Sequence, residues 1–187
     1  MIEILESAEV RQRALPISVA TWHWMVEHDM VQRRAELIRG VIIEKISKSS
    51  LHEFLVQSLY LIFAQAGLVD CLIRKEGPLT LADSEPEPDL SIVKGTNADY
   101  RDGHPQTALL VVEVAVSSES SDREMVKAYA EAGVPECWLV VAKRQEIECY
   151  TEPVAGVYAK CRVFGAGEEM QAVSLPGLVV SLVRLFA

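Results

Sequence analysis

Two carboxylates stand within apolar segments of this chain, where a charged side chain is costly. Asp89 precedes the mainly apolar segment Leu-Ser-Ile-Val at 90–93, and Glu113 interrupts the longer apolar run at 109–116. Burying a carboxylate costs several kcal/mol unless it is paired, protonated or bound to a metal. Lys127 follows on the next predicted helix. Together the three residues indicate a divalent-metal hydrolytic site, with Asp89 and Glu113 as metal ligands and Lys127 as the catalytic lysine.

The chemistry of such a site follows from the residue types. Two carboxylates can hold Mg²⁺ or Mn²⁺ through oxygen ligands. The bound metal can activate a water molecule and stabilise charge on a phosphate group. A lysine nearby can orient the water or neutralise the charge that develops on the phosphate.

Each of the three residues also has a purely structural explanation. Glu113 can lie at a sheet edge, Asp89 can cap the turn after Pro88, and Lys127 can be a solvated helix residue. The residues alone leave both explanations open.

Three further residues are candidates for supporting the site. His52 falls in the first turn of a strongly amphipathic helix, where it could face a cleft. Glu36 lies in a predicted strand, and Glu76 precedes a turn from which it could reach the site. Each of the three is also compatible with a structural or surface role.

The elements that must position these residues can be read from periodicity and from turn signals. We expect an N-terminal arm over residues 1–16, a helix over 19–29 that Ser18 caps, and a β-hairpin around Gly40. A capping-box pattern at 50–53 predicts a second helix from about residue 51 to Gly67. The remaining expected elements are strands at 69–75, 78–82, 89–93, 109–116, 136–141, 145–150 and 157–164, and a helix over 121–132.

The order of these elements predicts one α/β or α+β domain over residues 1–187, with a mixed central sheet. The strand–helix–strand unit at 108–141 should form a crossover between parallel strands. This unit would carry Glu113 on its first strand and Lys127 on its helix, near the same edge of the sheet.

Composition limits the classes of function. Half of the 187 residues are apolar, and the formal net charge is −9. That charge argues against strong non-specific binding of nucleic acid, which depends on phosphate contacts, but it is compatible with a nuclease. We find no apolar stretch long enough to span a membrane and no basic signal-peptide region, so the sequence predicts a cytoplasmic protein. The four cysteines lack metal-ligand spacing and are expected to be reduced.

An ordered series of short segments, from about residue 17 to the end, resembles the Uma2 family of restriction-endonuclease-like proteins, also described as DUF820. The segments are Arg-Ala-Glu-Leu-Ile-Arg-Gly at 34–40, the helix beginning near His52, Glu-Pro-Glu-Pro-Asp-Leu at 85–90, Leu-Val-Val-Glu-Val at 110–114, Asp-Arg-Glu at 122–124, Tyr-Ala-Glu-Ala-Gly-Val-Pro-Glu at 129–136, Trp-Leu-Val at 138–140 and Leu-Pro-Gly-Leu at 175–178.

The resemblance implies the PD-(D/E)xK nuclease fold, in which helices flank a mixed central sheet and a metal assists cleavage of phosphodiesters. It identifies Pro88 and Asp89 as the Pro-Asp pair and Glu113 as the second acid. Ala115 stands where the motif has its lysine, and in this family a lysine on the following helix, here Lys127, is thought to replace it. Related sequences usually place that lysine four residues after an aspartate and four before a tyrosine. Here the spacings are five from Asp122 and two to Tyr129.

Two hypotheses about function follow. The first is a Mg²⁺- or Mn²⁺-dependent endodeoxyribonuclease, expected to be a homodimer because cutting a duplex requires cleavage of two strands. The second is a catalytically degenerate protein that uses a nuclease fold as a binding or interaction module. The acidic net charge and the shifted position of Lys127 favour the second hypothesis, while the two carboxylates favour the first.

Overall fold

The computed structural model describes residue 9 and residues 13–31, 34–45 and 47–187. The predicted arm over residues 1–16 lies largely outside these ranges. The helices and strands follow one another in the order α1 Val19–Glu27, β1 Ala35–Ile38, β2 Val41–Glu44, α2 Ser50–Gln65, β3 Cys71–Lys75, β4 Leu90–Lys94, β5 Leu110–Ala115, α3 Glu119–Glu131, β6 Glu136–Val141, β7 Glu146–Val154, β8 Val157–Phe164, β9 Glu169–Gln171, β10 Val179–Ser181 and α4 Leu182–Leu185.

The centre of the fold is a mixed sheet of six strands in the order β3-β4-β5-β6-β7-β8. Strands β5 and β6 are parallel, and every other neighbouring pair is antiparallel. Helix α3 provides the connection that a parallel pair requires. The α/β fold with a mixed central sheet, an N-terminal helix and a β-hairpin is therefore confirmed.

Helices cover the sheet on both faces, and the side chains of each strand alternate between them. On one face α2 packs through Leu55, Leu59 and Phe63 against side chains that include Trp138. On the other face Tyr129 and other residues of α3 pack against a second apolar cluster that includes Val111. Strand β6 is buried along its whole length, as expected for a central strand with helices on both sides.

The hairpin β1–β2 and helix α2 carry two of the candidate site residues, Glu36 and His52. The hairpin turns through Arg39 and Gly40, which both have positive φ values, as in the type I′ turn that joins two strands most tightly. Helix α2 is capped by Ser49, whose Oγ accepts a hydrogen bond from the backbone N–H of His52. The cap is therefore one residue earlier than the capping-box pattern predicted.

One predicted strand is absent. Residues 78–82 belong to no strand. Their backbone N–H groups bond to loops: Leu79 to the carbonyl of Pro86, Thr80 to that of Pro105 and Leu81 to that of Ser84. The apolar pattern that indicated a strand instead reflects the burial of Leu79 and Leu81 in the core.

Helix α1 is held to the body by one buried carboxylate. Glu85 accepts hydrogen bonds from Trp22 Nε1 at 3.2 Å and Thr80 Oγ1 at 2.6 Å, and its Oε2 lies 2.6 Å from His23 Nε2. Burial alone would raise the pKa of Glu85, but these hydrogen bonds outweigh it and hold that pKa below its ordinary value.

Among the described residues, none of the helices has the length and apolar character that a membrane crossing requires.

Candidate active site

The register of two neighbouring strands places Asp89 beside Glu113. Leu90 of β4 pairs with Val112 of β5 in an antiparallel ladder, so the residue before Leu90 lies next to the residue after Val112. The backbone N–H of Asp89 points at Glu113 Oε2, at 3.4 Å. Because side chains alternate along a strand, Glu113 lies between Val111 and Ala115 on the sheet face that α3 covers. The pair is therefore an interior feature of the fold and not part of an exposed sheet edge.

Asp89 is buried and held by three donors. Its Oδ1 accepts from Lys48 Nζ at 2.7 Å, and its Oδ2 accepts from His52 Nε2 at 3.0 Å and from the backbone N–H of Val114 at 2.8 Å. Burial alone would raise the pKa of Asp89, but His52 and Lys48 outweigh it and lower that pKa below the ordinary value. Asp89 is therefore an ionised carboxylate with a fixed orientation.

Glu113 is in the opposite electrostatic situation. Its Oε1 accepts a hydrogen bond from the Tyr129 hydroxyl at 2.7 Å. Burial, followed by the negative charge of Asp89, raises the pKa of Glu113 well above its ordinary value. Asp122 and Glu36 add to this effect. Among the described residues Glu113 has no ion pair of the kind that Lys48 makes with Asp89. A cation bound in the site would therefore stabilise its charged form.

Two more carboxylates lie within electrostatic range of the pair. Asp122, in the first turn of α3, accepts from Ser118 Oγ at 2.6 Å, and burial and then Asp89 raise its pKa. Glu36 on β1 accepts from the backbone N–H of Glu87 at 3.2 Å, and burial is the main reason for its raised pKa. Glu36, Asp89, Glu113 and Asp122 therefore form an acidic cluster drawn from β1, the start of β4, β5 and α3.

Glu76 reaches the site through a lysine. Its Oε1 accepts from Lys48 Nζ at 2.9 Å, on the same ammonium group that contacts Asp89. Of the candidate supporting residues, the structure therefore brings His52 into direct contact with Asp89, places Glu36 within range of its charge, and connects Glu76 through Lys48.

The expected position of Lys127 requires correction. Its ammonium group pairs with Glu124 at 2.6 Å, its side chain is 57% exposed, and it lines a groove with Tyr150 and Tyr158. The physical reason is helix geometry. A helix turns about 100° per residue, so Lys127 is rotated about 200° from Tyr129, the residue that contacts Glu113. The ammonium group that contacts Asp89 belongs to Lys48, from the loop before α2.

The donor atoms at this site suit a hard divalent cation. Carboxylate oxygens are the ligands that Mg²⁺ and Mn²⁺ prefer, and Mg²⁺ is commonly held by only one or two carboxylates together with water and substrate phosphate. In the described part of the chain, no three Asp, Glu, His or Cys side chains are arranged as a ready metal cage. Asp89 and Glu113 therefore fit as an open two-carboxylate site.

The comparison with protein-family models decides the family. Residues 26–183 match the model named Uma2, which is described as "Putative restriction endonuclease". The chain belongs to the Uma2 family. The match includes every element that supplies a residue to the acidic cluster, from β1 to α3.

A solved structure supports the fold of this Uma2 protein. The crystal structure of a "putative nuclease belonging to DUF820" from Anabaena variabilis matches it with a TM-score of 0.72, over 87% of this chain and 96% of the other, at 17% identity. At that identity the likeness concerns the fold. The comparison with curated proteins found no match.

Sequence reasoning missed Lys48, Asp122 and Tyr129 as site residues of this Uma2 protein. A signal for two of them was present: Asp122 and Tyr129 are seven residues apart on a helix, which places them on one face. Lys48 had no such signal, because it lies in a loop without periodicity, and only the tertiary fold brings it to Asp89.

Proposed function

We propose that this protein is an endonuclease that uses Mg²⁺ or Mn²⁺ to hydrolyse phosphodiester bonds of DNA. The observation that carries the proposal is a pair of adjacent carboxylates in a nuclease-like fold, Asp89 directly before β4 and Glu113 on β5. The family description, which names restriction endonucleases, supports DNA as the substrate class.

The residues of the site have distinct roles in this proposal. Asp89 and Glu113 would hold the metal ion, which when bound supplies an activated water and charge stabilisation at the phosphate. His52 and the backbone N–H of Val114 keep the Asp89 carboxylate in one orientation. Tyr129 does the same for Glu113. Glu36 and Asp122 contribute negative charge that favours a divalent cation in the site.

The direct test is incubation of purified protein with supercoiled plasmid in Mg²⁺ or Mn²⁺. We expect nicked and linear products that depend on the metal and disappear when EDTA removes it. A matched reaction with Glu113→Gln, which removes the second carboxylate but keeps its size, should be inactive. Intact plasmid under all metal conditions, or equal cleavage by Glu113→Gln, would contradict the proposal.

The competing function is a binding module without catalysis. The observation that favours it is that Asp89 already has two partners within the protein: the Lys48 ammonium group pairs with its Oδ1, and His52 Nε2 lies 3.0 Å from its Oδ2. The plasmid experiment separates the two functions when DNA binding is measured beside cleavage. Binding that is unaffected by metal, with no cleavage, would establish the module in place of the enzyme.

We also propose that the active form is a homodimer. A single site of this kind cuts one strand, so cleavage of a duplex at one position requires two sites that face opposite strands. Light scattering coupled to size-exclusion chromatography should give twice the monomer mass of 20.7 kDa. A monomer at the protein concentration that linearises plasmid would exclude this arrangement.

A further inference from the structure

Lys48 places a positive charge beside one member of the acidic cluster, Asp89. Its Nζ donates to Asp89 Oδ1 at 2.7 Å and to Glu76 Oε1 at 2.9 Å. Its side chain is 31% exposed, whereas the Asp89 side chain is 8% exposed. The ammonium group therefore lies at the mouth of the site, with the buried carboxylate below it and solvent on its other side.

The backbone of Lys48 is held in place by helix α2. Lys48 directly precedes Ser49, the residue that caps this helix. Three residues after Ser49, His52 contacts the other oxygen of Asp89. The start of α2 thus presents two donors to the two oxygens of one carboxylate, which orders both the lysine and the histidine relative to Asp89.

Helix α3 does not supply an ammonium group to the same place. Asp122 and Tyr129 are on the face of α3 that meets the site, and the residues between them at helical spacing, Met125 and Val126, are apolar. Lys127 is on another face and pairs with Glu124. The lysine expected from α3 is thus missing from the site, and a lysine from a different element stands beside Asp89.

We propose that Lys48 is the catalytic lysine of this protein and contacts the phosphate group of the substrate. This inference rests on the proposed nuclease function. With a divalent ion held by Asp89, Lys48 Nζ would give up its hydrogen bond to that carboxylate, and its hydrogen bond to Glu76 would keep it at the mouth of the site. The released group can then donate to a phosphate oxygen, where it neutralises the charge that develops during hydrolysis.

A structural role for Lys48 would have different consequences. If Lys48 served only as the counter-ion of Asp89, its loss would disturb the carboxylate and weaken metal binding together with cleavage. If it contacts the phosphate, its loss should reduce cleavage and DNA binding while the metal is bound at least as tightly as before. Metal binding should not weaken, because removing the ammonium removes a competitor for Asp89 Oδ1.

The test compares Lys48→Met with Lys127→Met, which removes the same group from the exposed face of α3. We expect Lys48→Met to cleave plasmid about 100-fold more slowly, a typical loss for one charge-stabilising group. It should bind Mn²⁺, measured by calorimetry, at least as tightly as the wild type. It should also bind a short DNA duplex in Ca²⁺ about tenfold more weakly, the size of one charge-assisted contact. Lys127→Met should match the wild type in all three measurements.

The outcomes separate this inference from the proposed function. A wild type that cleaves, with Lys48→Met unchanged in cleavage and in DNA binding, overturns the role of Lys48 and leaves the nuclease intact. Parallel loss of cleavage and Mn²⁺ affinity also overturns it, in favour of a counter-ion. A wild type that binds DNA without cleaving ends the nuclease proposal, and weaker duplex binding by Lys48→Met then still supports the phosphate contact. A wild type that neither binds nor cleaves DNA overturns both.

Discussion

Replacing Asp89 by Asn should reduce metal-dependent DNA cleavage about 1,000-fold or more, because a metal ion contributes several kcal/mol of transition-state stabilisation and each 1.36 kcal/mol is worth about a factor of ten. The substitution removes the negative charge but keeps the shape of the side chain. The amide oxygen can still accept from the backbone N–H of Val114, so we expect the link between β4 and β5 to persist. The substitution therefore removes the negative charge with which Asp89 would bind the metal ion.

Two measurements show that the loss is chemical and not structural. The thermal midpoint of Asp89→Asn should fall only modestly, because Lys48 loses its buried charged partner but remains partly exposed to solvent, while calorimetry should show weaker binding of Mn²⁺. Asp102→Asn makes the same change at an exposed loop residue and should leave cleavage, stability and metal affinity unaltered. Cleavage by Asp89→Asn at the wild-type rate would mean that the site lies elsewhere in the protein.

Replacing Glu136 by Ala should lower the free energy of unfolding by about 4 kcal/mol, since each buried donor left without a partner costs about 1–3 kcal/mol. Glu136 is fully buried at the start of β6. Its Oε1 accepts from Trp138 Nε1 at 2.7 Å and from the backbone N–H of Val173 at 3.1 Å. Its Oε2 accepts from the backbone N–H of Ser174 at 2.6 Å and from the Ser174 hydroxyl at 2.7 Å.

This carboxylate ties the central sheet to the loop between β9 and β10. Without it, these four donors and the Cys149 thiol, which donates to Oε1 at 3.5 Å, lose their acceptor. The C-terminal segment that covers the α2 face of the sheet then loses its anchor. Urea denaturation measures the effect as a lower midpoint at an unchanged slope, which indicates a change in stability without a change in the surface exposed on unfolding.

Glu124→Ala is the matched control, because Glu124 is exposed and its only described ion pair is with Lys127 on the same helix. An exposed pair of this kind is worth about 0–1 kcal/mol, so the midpoint should hardly move. Similar midpoints for the Glu136 and Glu124 variants would show that the network around Glu136 contributes little.

The strands that carry the site were predictable because their signals are local. Apolar runs bounded by turn residues indicated β4, β5 and β6, and a carboxylate inside such a run is conspicuous in any sequence. Asp89 and Glu113 could be named for that reason. The segment at 78–82 shows where the same signal fails: Leu79 and Leu81 are buried, yet their backbone groups bond to loops and not to a neighbouring strand.

The charge state of the two carboxylates could not be predicted from the chain. Asp89 and Glu113 are of the same chemical class and lie on adjacent strands, but their pKa values shift in opposite directions. The difference arises from partners distant in sequence. Lys48 and His52 stabilise the charge of Asp89, whereas Glu113 has a tyrosine hydroxyl and the repulsion of neighbouring acids.

The sequence by itself determined the fold class, the family and the two carboxylates, since these depend on periodicity and on residue types in order along the chain. The tertiary structure alone decided which lysine contacts Asp89. Lys127 lies on a face of α3 from which its ammonium group reaches Glu124. The loop that leads into the capped start of α2 brings Lys48 to Asp89, which is 41 residues away in sequence. A contact between a loop and a distant strand leaves no periodic signal, because it depends on how the helices pack on the sheet.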